Sequence, residues 1–245
     1  MLLDIEKVIQ GPESSLNLNP ETFFKIYKPL RDFDNVTSAT HEIVVNEFNK
    51  IFGTKYLPID VRHWNVVRDW AMEKGLNKRD AEEIETHLWF NPDFLFKAKP
   101  IPGACELSYW LYEKGLNFPI ITSRKDVYVP YHNRFNTVKE ATLEWMKIYE
   151  PWVPQKDIHF QENSEMPGNY FKAFMINKLA GGIYFEDSLD HAQTVLDYTD
   201  AIVVCLSDKM NLDNMGYKNL VRIASAGGNM PNLLPFYDWI SRFDS

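Results

Sequence analysis

The sequence predicts an α/β protein: a doubly wound, mostly parallel sheet covered by helices on both faces, with a small helical cap inserted near its start. Three observations predict it. Short apolar runs suited to buried strands recur along the second half of the chain. Segments of helical period separate them, and strands joined by crossover helices build parallel sheets. Between about residues 46 and 97 the strand signal vanishes, leaving stretches rich in charge and tryptophan.

Taken in order, residues 1–20 read as an irregular extension, punctuated by Gly11-Pro12-Glu13-Ser14-Ser15 and by Pro20. Residues 21–45 and 98–245 are assigned to the α/β core, and 46–97 to the cap. Ile26-Tyr27-Lys28-Pro29-Leu30 reads as a strand leading to Asp32-Phe33-Asp34, with the apolar run Ile43-Val44-Val45 beyond. In the cap, residues 64–74 and 78–89 have helical period. Residues 106–114 form a helix closed by Gly115, which is free to take the left-handed angles of a helix end. Residues 119–122, 157–160, 182–185 and 201–206 are the expected strands. Residues 137–149 open on a threonine N-cap and stop before Pro151. The last helix, 233–243, packs on the sheet. The polar, aromatic stretch 128–136 reads as an ordinary connection.

Composition narrows the class. A chain of 245 residues, 45% hydrophobic, can bury one large core with a small insert. No run approaches the roughly 20 apolar residues of a membrane span. The start carries Asp4, Glu6 and Glu13 rather than a basic region and an apolar stretch, so a cytoplasmic setting is expected. Cys105 and Cys205 read as two reduced core thiols. A net charge of −8 without a basic stripe argues against stable nucleic-acid binding. A small anionic substrate stays compatible, because a metal ion and one or two local cations can neutralise it in a cleft.

The chemistry concentrates in two acidic groups. Asp32 and Asp34 stand two apart at a strand end, where a turn can splay them so that one attacks an electrophile while the other manages a proton. Glu186-Asp187-Ser188-Leu189-Asp190 follows the strand at 182–185. Acids at the tip of a buried strand are costly unless a cation neutralises them, and Mg²⁺ suits a site of one or two carboxylates plus water and phosphate oxygens. In doubly wound sheets ligands sit beyond the carboxyl ends of the strands, which is where Asp32, Thr122 and Asp187 fall. From Lys172 a helix to residue 180 travels about 13 Å from that edge. A strand over 182–187 returns about 16 Å. Lys172 and Asp187 therefore finish near one edge, although a solvated helix-end lysine fits the same spacing. Thr122-Ser123-Arg124-Lys125 offers a hydroxyl and backbone N–H groups to phosphoryl oxygens, or simply caps a turn. Arg124 and Lys125 contact an anionic group or face solvent. Of the cap aromatics Trp64, Trp70, Trp89 and Phe90, three are expected in the cap core and Trp64 at the substrate. His63 reads as a surface histidine.

Asp32-Phe33-Asp34-Asn35-Val36, Thr122, Lys172 and Glu186-Asp187-x-x-Asp190 together resemble, in order and spacing, the four motifs of the haloacid dehalogenase-like (HAD-like) phosphohydrolases, whose sheet is Rossmann-like. Asp34-Asn35-Val36-Thr37, Val45-Asn46-Glu47-Phe48-Asn49, Phe52-Gly53-Thr54, Val61-Arg62-His63-Trp64 and Pro100-Ile101-Pro102-Gly103-Ala104 are similar to the 5′(3′)-deoxyribonucleotidase branch and its bacterial and phage relatives. The resemblance runs from about Lys25 to Phe243. It implies Asp32 as nucleophile, Asp34 as acid and base, and Thr122 and Lys172 at the phosphoryl oxygens. It also implies Trp64 at the substrate, where Ser123 and Arg124 are candidates from their place after the strand at 119–122, with Mg²⁺ on Asp32, the Asp34 carbonyl and Asp187, and Glu186 and Asp190 orienting that shell. Asparagine at 35 replaces the usual glycine but tolerates left-handed angles. Lys25, Lys28, Pro29 and Arg31 stand where an apolar strand is usual, and proline has no N–H for a central ladder, so distortion is expected there.

The function expected is a Mg²⁺-dependent phosphomonoesterase acting on nucleoside monophosphates. The alternatives are a sugar phosphate or other small ester as substrate, a silent relative that only binds a ligand, and, less favoured, a phosphatase acting on nucleic-acid ends.

Overall fold

A computed structural model of the chain describes residues 19–125, 134–162, 165–206, 217–222 and 231–241. Most of the extension (1–18) and most of the 128–136 stretch (128–133) lie outside the described residues.

The first element among the described residues is a helix, α1 (Pro20–Ile26), where a strand was expected to begin at Ile26. Asn19 caps it by accepting the Thr22 N–H at 2.8 Å, and proline suits the first helical position because its missing N–H is not needed there. Lys25 thus lies outside the strand. The sheet has six strands, β1 (Pro29–Arg31), β2 (Ile120–Thr122), β3 (Ile158–Phe160), β4 (Ile183–Glu186), β5 (Ile202–Cys205) and β6 (Leu220–Arg222). They are all parallel, in the order β3-β2-β1-β4-β5-β6. Strand β6 was not expected.

Contrary to the expected distortion, β1 pairs with β2 and β4 on its two sides. Pro29 is its first residue, a place where the ladder tolerates proline. Arg31 is fully buried, and Glu150 accounts for it: Arg31 Nη1 donates to Glu150 Oε1 at 2.8 Å, and Nη2 pairs with the other carboxylate oxygen. The guanidinium also lies 4.4 Å from the Phe118 ring centre.

Period-two alternation sends the strand side chains to two layers. Leu30, Ile121, Tyr184 and Val203 meet Phe171 and Ile176 of α8 (Gly168–Leu179) and Val195 of α9 (Leu189–Tyr198). Ile183, Phe185, Ile202 and Val204 meet α1, α6 (Ala104–Glu113) and α10 (Leu234–Ser241) through Phe23, Leu107 and Phe236. Trp145 and Met146 of α7 (Val138–Tyr149) cover Phe33, Ile120 and Ile158.

The other α-helices among the described residues are α2 (Thr40–Phe52), α3 (Val66–Glu73), α4 (Lys78–Trp89) and the short α5 (Pro92–Phe96). Val44, Val45 and Phe48 of α2 share a separate core with Val67, Trp70, Leu88 and Trp89. The run at 43–45 is therefore helical, and α2 passes unbroken through the boundary placed at residue 46. Among the described residues no helix is long and apolar enough to cross a membrane.

Candidate active site

The strand order reverses beside β1, which opens a crevice at the carboxyl ends of β1, β2 and β4. Asp32 follows β1 directly and is buried there, its Oδ1 accepting the Phe33 N–H at 2.8 Å. Lys172 Nζ lies 2.8 Å from Asp32 Oδ2 and 2.9 Å from Glu186 Oε2. The return of the chain after α8 makes this meeting possible. Ala180, not a glycine, takes the left-handed turn there (φ 52°). Gly181 and Gly182 serve close approach instead, since a Cβ would stand 2.1 Å from Leu30 Cδ1 on the first and 2.8 Å from Tyr27 Cα on the second. The solvated reading of Lys172 is set aside, because the side chain is buried.

Asn35 adopts φ 53° and so makes the turn after Asp34 that a glycine would make. Its side chain also accepts the His41 N–H at 2.9 Å. Asp34 is held from two sides. Thr40 Oγ1 donates to its Oδ1 at 2.6 Å, and Arg124 reaches it with Nη2 at 2.7 Å and Nε at 3.1 Å. Burial raises the Asp34 carboxyl, but the Arg124 guanidinium outweighs it and leaves the group below its ordinary value. Arg124 lines the cleft, yet its remaining Nη1 contact goes to Thr142 at 2.7 Å. Expected at an anionic group or in solvent, its guanidinium pairs with Asp34 at the wall of the cleft. Thr122 is fully buried, its Oγ1 accepting the Arg124 N–H at 3.2 Å, while Ser123 and Lys125 line the cleft.

Asp32, Glu186 and Asp187 each bring a carboxylate oxygen within 4.8 Å of the others. Burial pushes Asp32 and Asp187 well above the ordinary carboxylate range; the neighbouring acids add to it, and Lys172 opposes it. Burial would raise Glu186 too, but the Lys172 ammonium outweighs it and holds that group low. The Glu186 oxygens are well occupied. Oε1 accepts the N–H groups of Asp187 and Ser188, and Oε2 accepts Lys172 and the Tyr184 hydroxyl. Asp32 and Asp187 are thus left with charge that one ammonium does not meet. Three hard oxygen donors with surplus negative charge fit a divalent cation such as Mg²⁺. Asp190 is exposed on the first turn of α9 and stands apart from this cluster. The orienting role expected of it therefore finds no contact, because α9 turns it outward.

A cavity of about 240 Å³ opens over the site. Trp64, Trp89, Phe90, Ser123, Gln161 and His191 are among its walls. Trp64 is 47% exposed, with its ring 6.4 Å from that of His191. Trp70 packs in the separate core of α2, α3 and α4 against Tyr56, rings 4.1 Å apart, and His63 is an exposed neighbour of Asp69. Phe90, expected in the cap core, is 39% exposed at the cleft. Sequence reasoning also missed Thr40, Gln161 and His191. Only Gln161 carried a signal, its place just past the end of β3.

The chain matches the family model described as 5′ nucleotidase, deoxy (pyrimidine), cytosolic type C protein over residues 29–216. No curated protein is a significant match. Similar solved structures include a predicted phosphatase from Clostridium acetobutylicum, with TM-score 0.52, 12% identity and coverage of 87% of this chain and 98% of that one. A predicted phosphoglycolate phosphatase from Haemophilus somnus aligns with TM-score 0.52, 12% identity and coverage of 80% and 93%. At such identities the likeness is one of fold.

Proposed function

The chain belongs to the cytosolic type C 5′-nucleotidase family of HAD-like phosphoric monoester hydrolases, and on that premise we propose that it hydrolyses nucleoside monophosphates through an aspartyl-phosphate, with Mg²⁺ as cofactor. One observation carries the reading: the buried Asp32 carboxylate lies 2.8 Å from the Lys172 ammonium at the crevice, with Asp34 at the cleft two residues on.

Asp32 attacks phosphorus in line, forming a bond from its carboxylate oxygen as the bond to the leaving oxygen breaks. Asp34 gives its proton to the leaving alkoxide and then takes one from the water that opens the aspartyl-phosphate, releasing phosphate and restoring Asp32. Such acid and base assistance contributes about 10²–10⁴-fold. Lys172 tempers the repulsion between the Asp32 carboxylate and the incoming phosphate, and the Ser123 hydroxyl, on a residue that lines the cleft, would meet a phosphoryl oxygen. Asp32, Asp187 and the Asp34 carbonyl would hold Mg²⁺, with Glu186 orienting them. The bound ion supplies positive charge to the phosphoryl oxygens. The exposed face of Trp64, with Phe90 beside it in the cleft, suits a nucleobase and favours a nucleotide over a sugar phosphate. The reading as a silent relative rested on a distorted β1, and the regular pairing of β1 removes its reason.

The test is phosphate release from nucleoside 5′- and 3′-monophosphates and from sugar phosphates, with Mg²⁺ or EDTA. Wild type should release phosphate only with the metal, nucleotides should outrank sugar phosphates, and Asp32→Asn should be inactive yet folded. Full activity in Asp32→Asn would remove Asp32 as nucleophile.

A further inference from the structure

The Lys172 ammonium carries three N–H groups, and three acceptors surround it. Asp32 Oδ2 lies at 2.8 Å, Glu186 Oε2 at 2.9 Å and His191 Nδ1 at 2.8 Å. The two acids belong to the mechanism above, and the histidine has had no task. An ammonium can only donate, so Nδ1 accepts at this contact and the neutral ring keeps its proton on Nε2. The competing arrangement, with Nδ1–H donating to Glu186, would have to span 3.7 Å, too far for a hydrogen bond. His191 is buried on the first turns of α9, and its ring lines the cleft near Trp64 of the cap.

We propose that His191 is a positioning residue, whose Nδ1 takes the third N–H of Lys172 and so aims the ammonium between Asp32 and Glu186. This rests on the phosphatase reading and extends it. With all three donors met, the ammonium has one orientation, and the Asp32 oxygen it pairs with is held for attack. Without the histidine acceptor, a buried donor is left unmatched and the ammonium can pivot toward either acid. Misplacement at a reacting centre is costly, because an error of about 1 Å can cost about 10²-fold in rate.

Two replacements separate aiming from packing. His191→Leu fills similar space with no acceptor, whereas His191→Asn offers an amide oxygen close to the place of Nδ1. The expected result is a fall in kcat of about 10- to 100-fold in the leucine variant with KM little changed. The asparagine variant should recover most of that loss, with the two melting alike. A leucine variant as active as wild type, or two variants losing kcat together in step with Tm, would overturn the proposal. Nitrogen-15 NMR of the imidazole supplies a readout independent of turnover. The Nε2–H tautomer is expected in wild type, with the Nδ1 resonance moving in Lys172→Met. The opposite tautomer in an active enzyme overturns this proposal alone. The expected tautomer in a wild-type protein that releases no phosphate overturns the functional reading, and the positioning role with it.

Discussion

At the scale of single residues, the grip of Arg124 on Asp34 has a kinetic consequence. The proposed acid must be protonated to serve the leaving alkoxide, and Arg124 holds Asp34 below its ordinary value, so the protonated fraction is lost at a lower pH than for a free carboxyl. Replacing Arg124 by Met should raise the Asp34 pKa and carry the alkaline limb of kcat/KM for a nucleotide to higher pH. With p-nitrophenyl phosphate, whose leaving group needs no proton, the limb should stay in place. An unmoved limb for both substrates would separate Arg124 from the acid step. Asp32, Asp34, Thr122, Lys172, Glu186 and Asp187 were legible from order and spacing, because each stands at or opposite a strand end. Thr40 and His191 were not, because their partners lie six and nineteen residues away and no local pattern marks such contacts.

At the scale of elements, two features of the sheet invite measurement. Ala180 ends α8 at φ 52°, a left-handed angle that costs a non-glycine residue about 1–2 kcal/mol, while glycine costs the unfolded chain about 0.5–1 kcal/mol of extra entropy. Ala180→Gly should therefore stabilise by about 0.5–1 kcal/mol, read as a rise in urea midpoint at constant slope. A lower midpoint would mean that the alanine methyl is needed where it is. The Arg31–Glu150 pair is fully buried. Arg31→Met leaves the Glu150 charge without its partner and should cost about 3–5 kcal/mol, whereas Arg31→Met with Glu150→Leu should recover most of that. Equal losses in the single and double variants would show that the cost lies in packing against Phe118 instead. Charged and proline residues made β1 look weak in the sequence, and an apolar pattern alone cannot show a counter-ion 119 residues away. Helix α1 went unread although Asn19-Pro20 is a start signal, and the short α5 repeats that signal in Asn91-Pro92.

At the scale of the whole molecule, the acidic cluster ties metal binding to stability. Asp32, Glu186 and Asp187 are brought together only when β1 and β4 pair, so a cation bound there favours the folded chain over the unfolded one. Millimolar Mg²⁺ should raise the thermal midpoint and EDTA should reverse it, with a gain of about 2.7 kcal/mol at a hundredfold excess over Kd. Asp187→Asn should lose most of that gain, and a wild-type midpoint indifferent to Mg²⁺ would take the metal away from this cluster. By itself the sequence determined the fold class and the order of the motif residues. These are written in local period and in spacing along the chain, and helix rise and strand rise convert spacing into place. Only the tertiary structure decided that Arg31 is a neutralised core residue, that Arg124 restrains Asp34, that Asp190 turns outward and that His191 completes the shell of Lys172. Each of these depends on which side chains meet across separate elements, and on burial strengthening the interaction between charges once they meet.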